Sequence, residues 1–216
     1  MNTHLRMKIA ASVIILFASL ADILMTFALA PFYPGYIQIT TPVSMLGSSA
    51  SPVAGIASAW WILLGVLFMI SGGLLIMPFL SLEKPWYLSV LPAVMLIIYG
   101  FGEGVASGLF RSEHAGDYST FEATMHNIIS GAGLISSILL PLTMIKVLKT
   151  KGLKIFSIMI FVTGILLFFL FQMRYIFPGN TLSTDYLGLW QRLLMLNFYL
   201  YLVVISVRIL HSAFHI

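Results

Sequence analysis

Residues 86–109 read WYLSVLPAVMLIIYGFGEGVASGL, and Glu103 is the one charged side chain among them. A helix rises about 1.5 Å per residue, so roughly 20 apolar residues cross the ~30 Å hydrocarbon core of a bilayer. The stretch is long enough for that. Its apolar run is solid, without the alternation of a barrel strand, and lipid offers an unpaired backbone no hydrogen-bond partner. It therefore reads as a transmembrane helix that holds a carboxylate.

Working outward, five further segments have the same character: residues 9–30, 58–80, 123–147, 155–175 and 186–209. The whole chain of 216 residues is 60% hydrophobic and 8% charged, with a mean hydropathy of +1.02. A water-soluble domain of this length carries far more charge. The expected fold is all-α: a polytopic membrane protein in which residues 1–216 form one six-helix bundle. Arg6 and Lys8 before the first segment, and Ala28-Leu29-Ala30 at its end, imitate a secretory signal. The apolar run is longer than a signal's core and contains Asp22, so it reads as an uncleaved helix. There is no cysteine, which excludes a disulfide framework and a thiolate metal site. No phosphate-binding loop, dinucleotide fingerprint, CxxCH haem motif or lipidation signal is present.

The basic residues lie in short caps beside the apolar segments. The pI near 9.4 is thus a matter of topology, and no nucleic-acid partner is expected. Arg6, Lys8, Lys84, Lys146, Lys149, Lys151, Lys154 and Arg208 fall on one side, while Arg111, Arg174 and Arg192 lie on or toward the other. Both termini are therefore expected to be cytoplasmic, with the chain in the cell membrane. The first outer loop, residues 31–57, is long and nearly uncharged. It is either an ordinary interfacial loop or a lid folded back over the bundle.

Counting along the helices places four ionisable residues in one layer. Glu103 lies about 10 Å, Asp22 roughly 13 Å and Arg192 about 9 Å inside the outer ends of their segments, and His126 lies one turn inside its own. Charges in lipid cost at least ~2.5–3.5 kcal/mol each and normally face a bundle interior or a wet cavity. Glu103 also stands beside Gly100, Gly104 and Gly108, a small-residue stripe that lets a second helix come close. On the fourth helix His126, Ser130, Gly133 and Ser137 share a face; on the sixth, Gly188, Arg192, Met195 and Tyr199 do, with Gln191 beside them. The expectation is an inward polar site in which Glu103 lies close to Arg192 and His126.

Three stretches carry a resemblance: TTPVSMLGSSASP, GEGVASGLFRSEHAGDYSTFEATMHNIISGAG and GLWQRL. With their spacing they resemble the bacterial six-span membrane family known as domain of unknown function 998, itself distantly similar to DRAM- and Sfk-type membrane proteins associated with lipid handling. The resemblance implies family positions at Ser44, His126 and Arg192. It departs from the family at residues 110–113, where a proline-containing turn after the third helix reads Phe-Arg-Ser-Glu.

Three functions remain open from sequence. The first is binding of a lipid headgroup or small polar ligand by Asp22, Glu103, His126, Gln191, Arg192 and Tyr199, with Trp190, Tyr199 and Tyr99 along an acyl path. The second is a membrane-embedded lipid hydrolase. Glu103, His126 and Ser44 are its catalytic candidates, with Ser130 as a second nucleophile. A zinc-dependent form would draw ligands from His126, His114, Glu103, Asp22 and Asp117, although no HExxH motif occurs. No cofactor is otherwise expected. The third is a structural or assembly subunit whose polar layer sets helix register. Membrane lipids are the expected partners in the first two.

Overall fold

The computed structural model of the chain describes residues 2–82, 85–111, 119–177 and 179–214. Six helices are long and apolar enough to cross a membrane. They are α1 (Thr3–Leu29), α2 (Ala54–Leu80), α3 (Trp86–Leu109), α4 (Phe121–Met144), α5 (Lys151–Ile176) and α6 (Leu187–Phe214). The described residues contain no strand. The chain is a multi-pass membrane protein.

Helix ends depart from the apolar runs for local reasons. α1 starts at Thr3 instead of residue 9, because Asn2 caps it by accepting from the His4 amide. α5 takes in Lys151 and Lys154, since lysine is a good helix former wherever its ammonium reaches water. α4 ends at Met144, earlier than residue 147, and gives way to a turn. The expected bounds of the third helix coincide with those of α3.

The helices pack as a ring in chain order, each on its sequence neighbours, and α6 closes on α1. The His4 ring and the Ser81 hydroxyl hydrogen-bond at 3.2 Å, so the start of α1 meets the end of α2 on the face that carries the termini. The opposite face carries the 31–53 loop.

Glycines bring α3 against both neighbours. A Cβ on Gly104 would overlap Gly65 of α2, and one on Gly108 would strike the Ser58 carbonyl. On the other side Gly102 meets Gly133 of α4, where an added Cβ would lie 2.8 Å from Cα. Without a hydrophobic drive between helices in lipid, such backbone contact is a main source of packing energy. Within this sandwich Gly100–Ala106 is wound as a π-helix. The wider turn shifts the angular position of Glu103, and Ser107 Oγ donates to the Gly102 carbonyl at 3.1 Å. π segments inside α-helices occur frequently at functional sites.

Two predictions follow from this packing and from the distribution of lysines. Gly104→Ala should lower the melting temperature by the equivalent of about 1–3 kcal/mol, whereas Gly73→Ala, whose Cβ meets nothing within 4 Å, should be near neutral; equal effects would refute the close approach. Since the chain has no cysteine, Ala50→Cys should label with an impermeant thiol reagent in intact cells and Thr150→Cys only after permeabilisation. The reverse pattern would invert the assigned orientation.

Candidate functional site

Inside the ring, toward the loop-bearing face, lies a cavity of about 110 Å³ to which all six helices contribute. The polar side chains along it fall into two groups, those already spent on protein partners and those that are not.

Asp22 belongs to the first group. It is 2% exposed, and both its oxygens accept: Oδ1 from Trp60 Nε1 at 2.8 Å and Oδ2 from the Tyr199 hydroxyl at 2.6 Å. Tyr199 spends its one proton there, so Tyr99 is the donor in the 2.9 Å bond between the two phenols. The chain Tyr99–Tyr199–Asp22–Trp60 ties α3, α6, α1 and α2 together beneath the cavity. Phe68 packs on both tyrosine rings.

Arg192 does not line the cavity; it is spent on the loop and on its own helix, which corrects the expected pairing with Glu103. Its Nη1 donates to the carbonyls of Gln38, Thr41 and Gly188, and its Nη2 to the Tyr36 hydroxyl. Tyr36 passes the contact on by donating to the Pro42 carbonyl at 3.1 Å. Burial pushes the Tyr36 phenol up from its ordinary value against the pull of the Arg192 charge, so it remains a donor at neutral pH. Beside this clamp, Gln191 Oε1 accepts from the Val43 amide at 2.7 Å and the Leu189 amide donates to the Ile39 carbonyl at 2.8 Å. Gly188 leaves room for all this, because a side chain there would collide with the Thr41 and Gln38 carbonyls. The loop thus folds back onto the start of α6, with Val43–Gly47 as a short 3-10 turn, and Pro42, Val43 and Ser44 form part of the cavity wall. The physical reason is plain. Arg192 sits where non-helical carbonyls need donors, and a planar guanidinium supplies several at once.

Glu103 and His126 belong to the second group. Among the described residues the Glu103 carboxyl has neither an ion pair nor a side-chain hydrogen bond, and it lines the cavity. His126 Nδ1 lies 2.9 Å from the Phe110 carbonyl. A carbonyl only accepts, so Nδ1 carries the proton and Nε2 is left as an acceptor, and the residue lines the cavity. Ser44 and Ser130 line the same space.

Other expected positions fall elsewhere. Gly133 faces α3 and not the cavity, and the Ser137 hydroxyl returns to the Leu134 carbonyl of its own helix. Trp190 is away from the cavity, its ring tilted against that of Tyr186 and its Nε1 donating to the Leu182 carbonyl. His114 and Asp117 lie outside the described residues, and among those described no three His, Asp or Glu side chains form a group able to hold a metal ion.

The sequence reading also missed part of the wall. Phe171, Gln172, Arg174 and Tyr175 of α5 line the cavity. Arg174 lies between the Phe171 and Tyr175 rings, 4.5 and 4.6 Å from their centroids. Its hydrogen bonds are to the Phe171 carbonyl at 3.4 Å and the Tyr175 hydroxyl at 3.1 Å, and its Nε is buried without a partner. The available signal was FQMRY, two polar side chains breaking an otherwise apolar run at a span end.

Arg192→Leu should raise hydrogen exchange across residues 36–44 by about tenfold or more, and Arg192→Lys should not restore it, because an ammonium lacks the planar fork. Arg208→Leu, at an exposed position, should leave the same amides unchanged. Protection that survives Arg192→Leu would show that the clamp does not hold the loop.

A family model described as protein of unknown function (DUF998) matches residues 16–208. No curated protein and no solved structure matches the chain. The match runs from α1 through α6 and takes in the loop, its α6 anchor, Glu103 and His126. The chain belongs to the DUF998 family.

Proposed function

We propose that this protein binds a lipid headgroup or a small polar ligand in the cavity, from the outer leaflet of the cell membrane. One observation supports the reading: Glu103 and His126 line a space enclosed by transmembrane helices, and neither the Glu103 carboxyl nor His126 Nε2 has a hydrogen-bond partner among the described residues. Unpaired polar groups in such surroundings are costly, and a polar ligand supplies the missing partners. Met195 and Leu134 add apolar wall between the polar groups, as binding sites for small molecules commonly do.

A membrane-embedded hydrolase is the second reading. The hydrogen bond from His126 Nδ1 to Phe110 favours it, since it orients Nε2 as a base with Ser44 or Ser130 along the same cavity. A structural subunit is the third.

Native mass spectrometry of gently extracted protein separates them. The binding reading expects a retained lipid or polar molecule that is lost in His126→Ala and in Glu103→Gln. Retention of a cleaved lipid product, with covalent capture of a serine by a phosphonate probe, would favour the hydrolase. A bare chain for the wild type and both variants would overturn the binding reading and leave the structural one.

A further inference from the structure

The seam between α4 and α5 and the side chains beside it bear on how the cavity is reached and on what it could hold. Ile138 of α4 lies within 4 Å of where a Cβ on Gly164 of α5 would be, so the two helices meet at that level. Gly131 precedes Ile138 by two turns and shares its face, and Phe171 follows Gly164 by two turns and shares its own. Both Gly131 and Phe171 line the cavity, and a Cβ on Gly131 would meet nothing within 4 Å. The seam that is closed at Ile138 therefore leaves room beside Gly131, two turns nearer the loop-bearing face. α5 suits such an opening: 22% of its apolar window is buried, against 39–44% for the other spans.

Charge is placed along this entry in an order. Arg174 stands beside Tyr175, which is 45% exposed, so the guanidinium lies toward the mouth. Glu103 is held farther in by the backbone contacts of α3 with α2 and α4. The two do not pair with each other, and Arg174 keeps N–H donors that no acceptor among the described residues uses. A guanidinium fork matches a phosphate, and a carboxylate matches an ammonium.

We propose, resting on the binding reading above, that the cavity takes a zwitterion consisting of a phosphate and a primary ammonium. It enters between α4 and α5, with its phosphate on Arg174 and its ammonium on Glu103. In a phospholipid the phosphate lies nearer the acyl chains than the amine, which matches a cation at the mouth and an acid within. A primary ammonium donates hydrogen bonds to Glu103 and His126 Nε2, whereas a trimethylammonium has none to donate. The same chemistry is present in phosphatidylethanolamine and in free phosphoethanolamine.

The test uses the full chain in vesicles of equal parts phosphatidylethanolamine, phosphatidylcholine and phosphatidylglycerol, re-extracted and weighed by native mass spectrometry. A parallel sample is stripped of lipid in detergent and given free phosphoethanolamine. The wild type should retain phosphatidylethanolamine about tenfold over the other two. Glu103→Gln and Arg174→Ala should each abolish retention of phosphatidylethanolamine. Gly131→Leu, which would fill the seam beside the cavity, should lower lipid retention, and unchanged retention would overturn the lateral entry. Melting temperatures establish that each variant is folded; should Glu103→Gln unfold, the Arg174 and Gly131 variants decide. Equal retention of all three lipids by the wild type, lost in His126→Ala, would overturn the zwitterion proposal and leave the binding reading standing. Capture of free phosphoethanolamine but of no lipid would keep the ligand chemistry and overturn the lateral entry. Capture of neither would overturn both readings.

Discussion

The constraint on which the rest of this structure depends is the carboxyl of Asp22. A bilayer gives it no water, so its oxygens require donors from the protein itself. Trp60 and Tyr199 supply them, and Tyr99 completes the chain. Those side chains come from four helices, so satisfying one acid fixes how α1, α2, α3 and α6 stand relative to one another. The glycine contacts of α3 act at the neighbouring level. They bring α3 to backbone distance from α2 and α4, and the π turn accommodates the crowding. Together these contacts build a firm floor under the cavity.

Above that floor the polar groups divide by whether they are already paired. Arg192 and Gln191 are committed to the loop: they supply donors and an acceptor to backbone groups that no helix satisfies. Glu103, His126 Nε2 and part of the Arg174 guanidinium have no such partner among the described residues. Sequence position gives no hint of this division, because Arg192 and Glu103 look alike as lone charges one to two turns inside a span. The division follows from where the 31–53 loop lands. Once its carbonyls reach Arg192, that cation is unavailable to Glu103, and among the described residues the arginine that lines the cavity is Arg174.

The stretches that carry the family resemblance acquire a physical meaning in this light. TTPVSM and GLWQRL are far apart in sequence and meet as loop and anchor, through Thr41 with Arg192 and Val43 with Gln191. Glu103 and His126, from the long central stretch, line the same cavity. The glycine stripe at Gly100, Gly104 and Gly108 was legible as a close approach because only glycine leaves room for a second backbone. What it approached was not legible. Gly65 and Gly133 are ordinary glycines until the helices are placed.

The sequence by itself determined the solvent and the architecture. Solid apolar runs of bilayer length can satisfy their backbones only as helices, so six spans, their order and the depth of each charged residue follow from counting. The partner of each charge was decided by tertiary structure alone. A helical residue's depth is linear in sequence, but the direction it faces depends on helix rotation, and a π turn or a docked loop alters that in ways no periodicity records. For that reason counting along the sequence gives Asp22, Glu103 and Arg192 similar depths, whereas only the packed bundle separated the acid whose oxygens are both paired from the one with no side-chain hydrogen bond among the described residues.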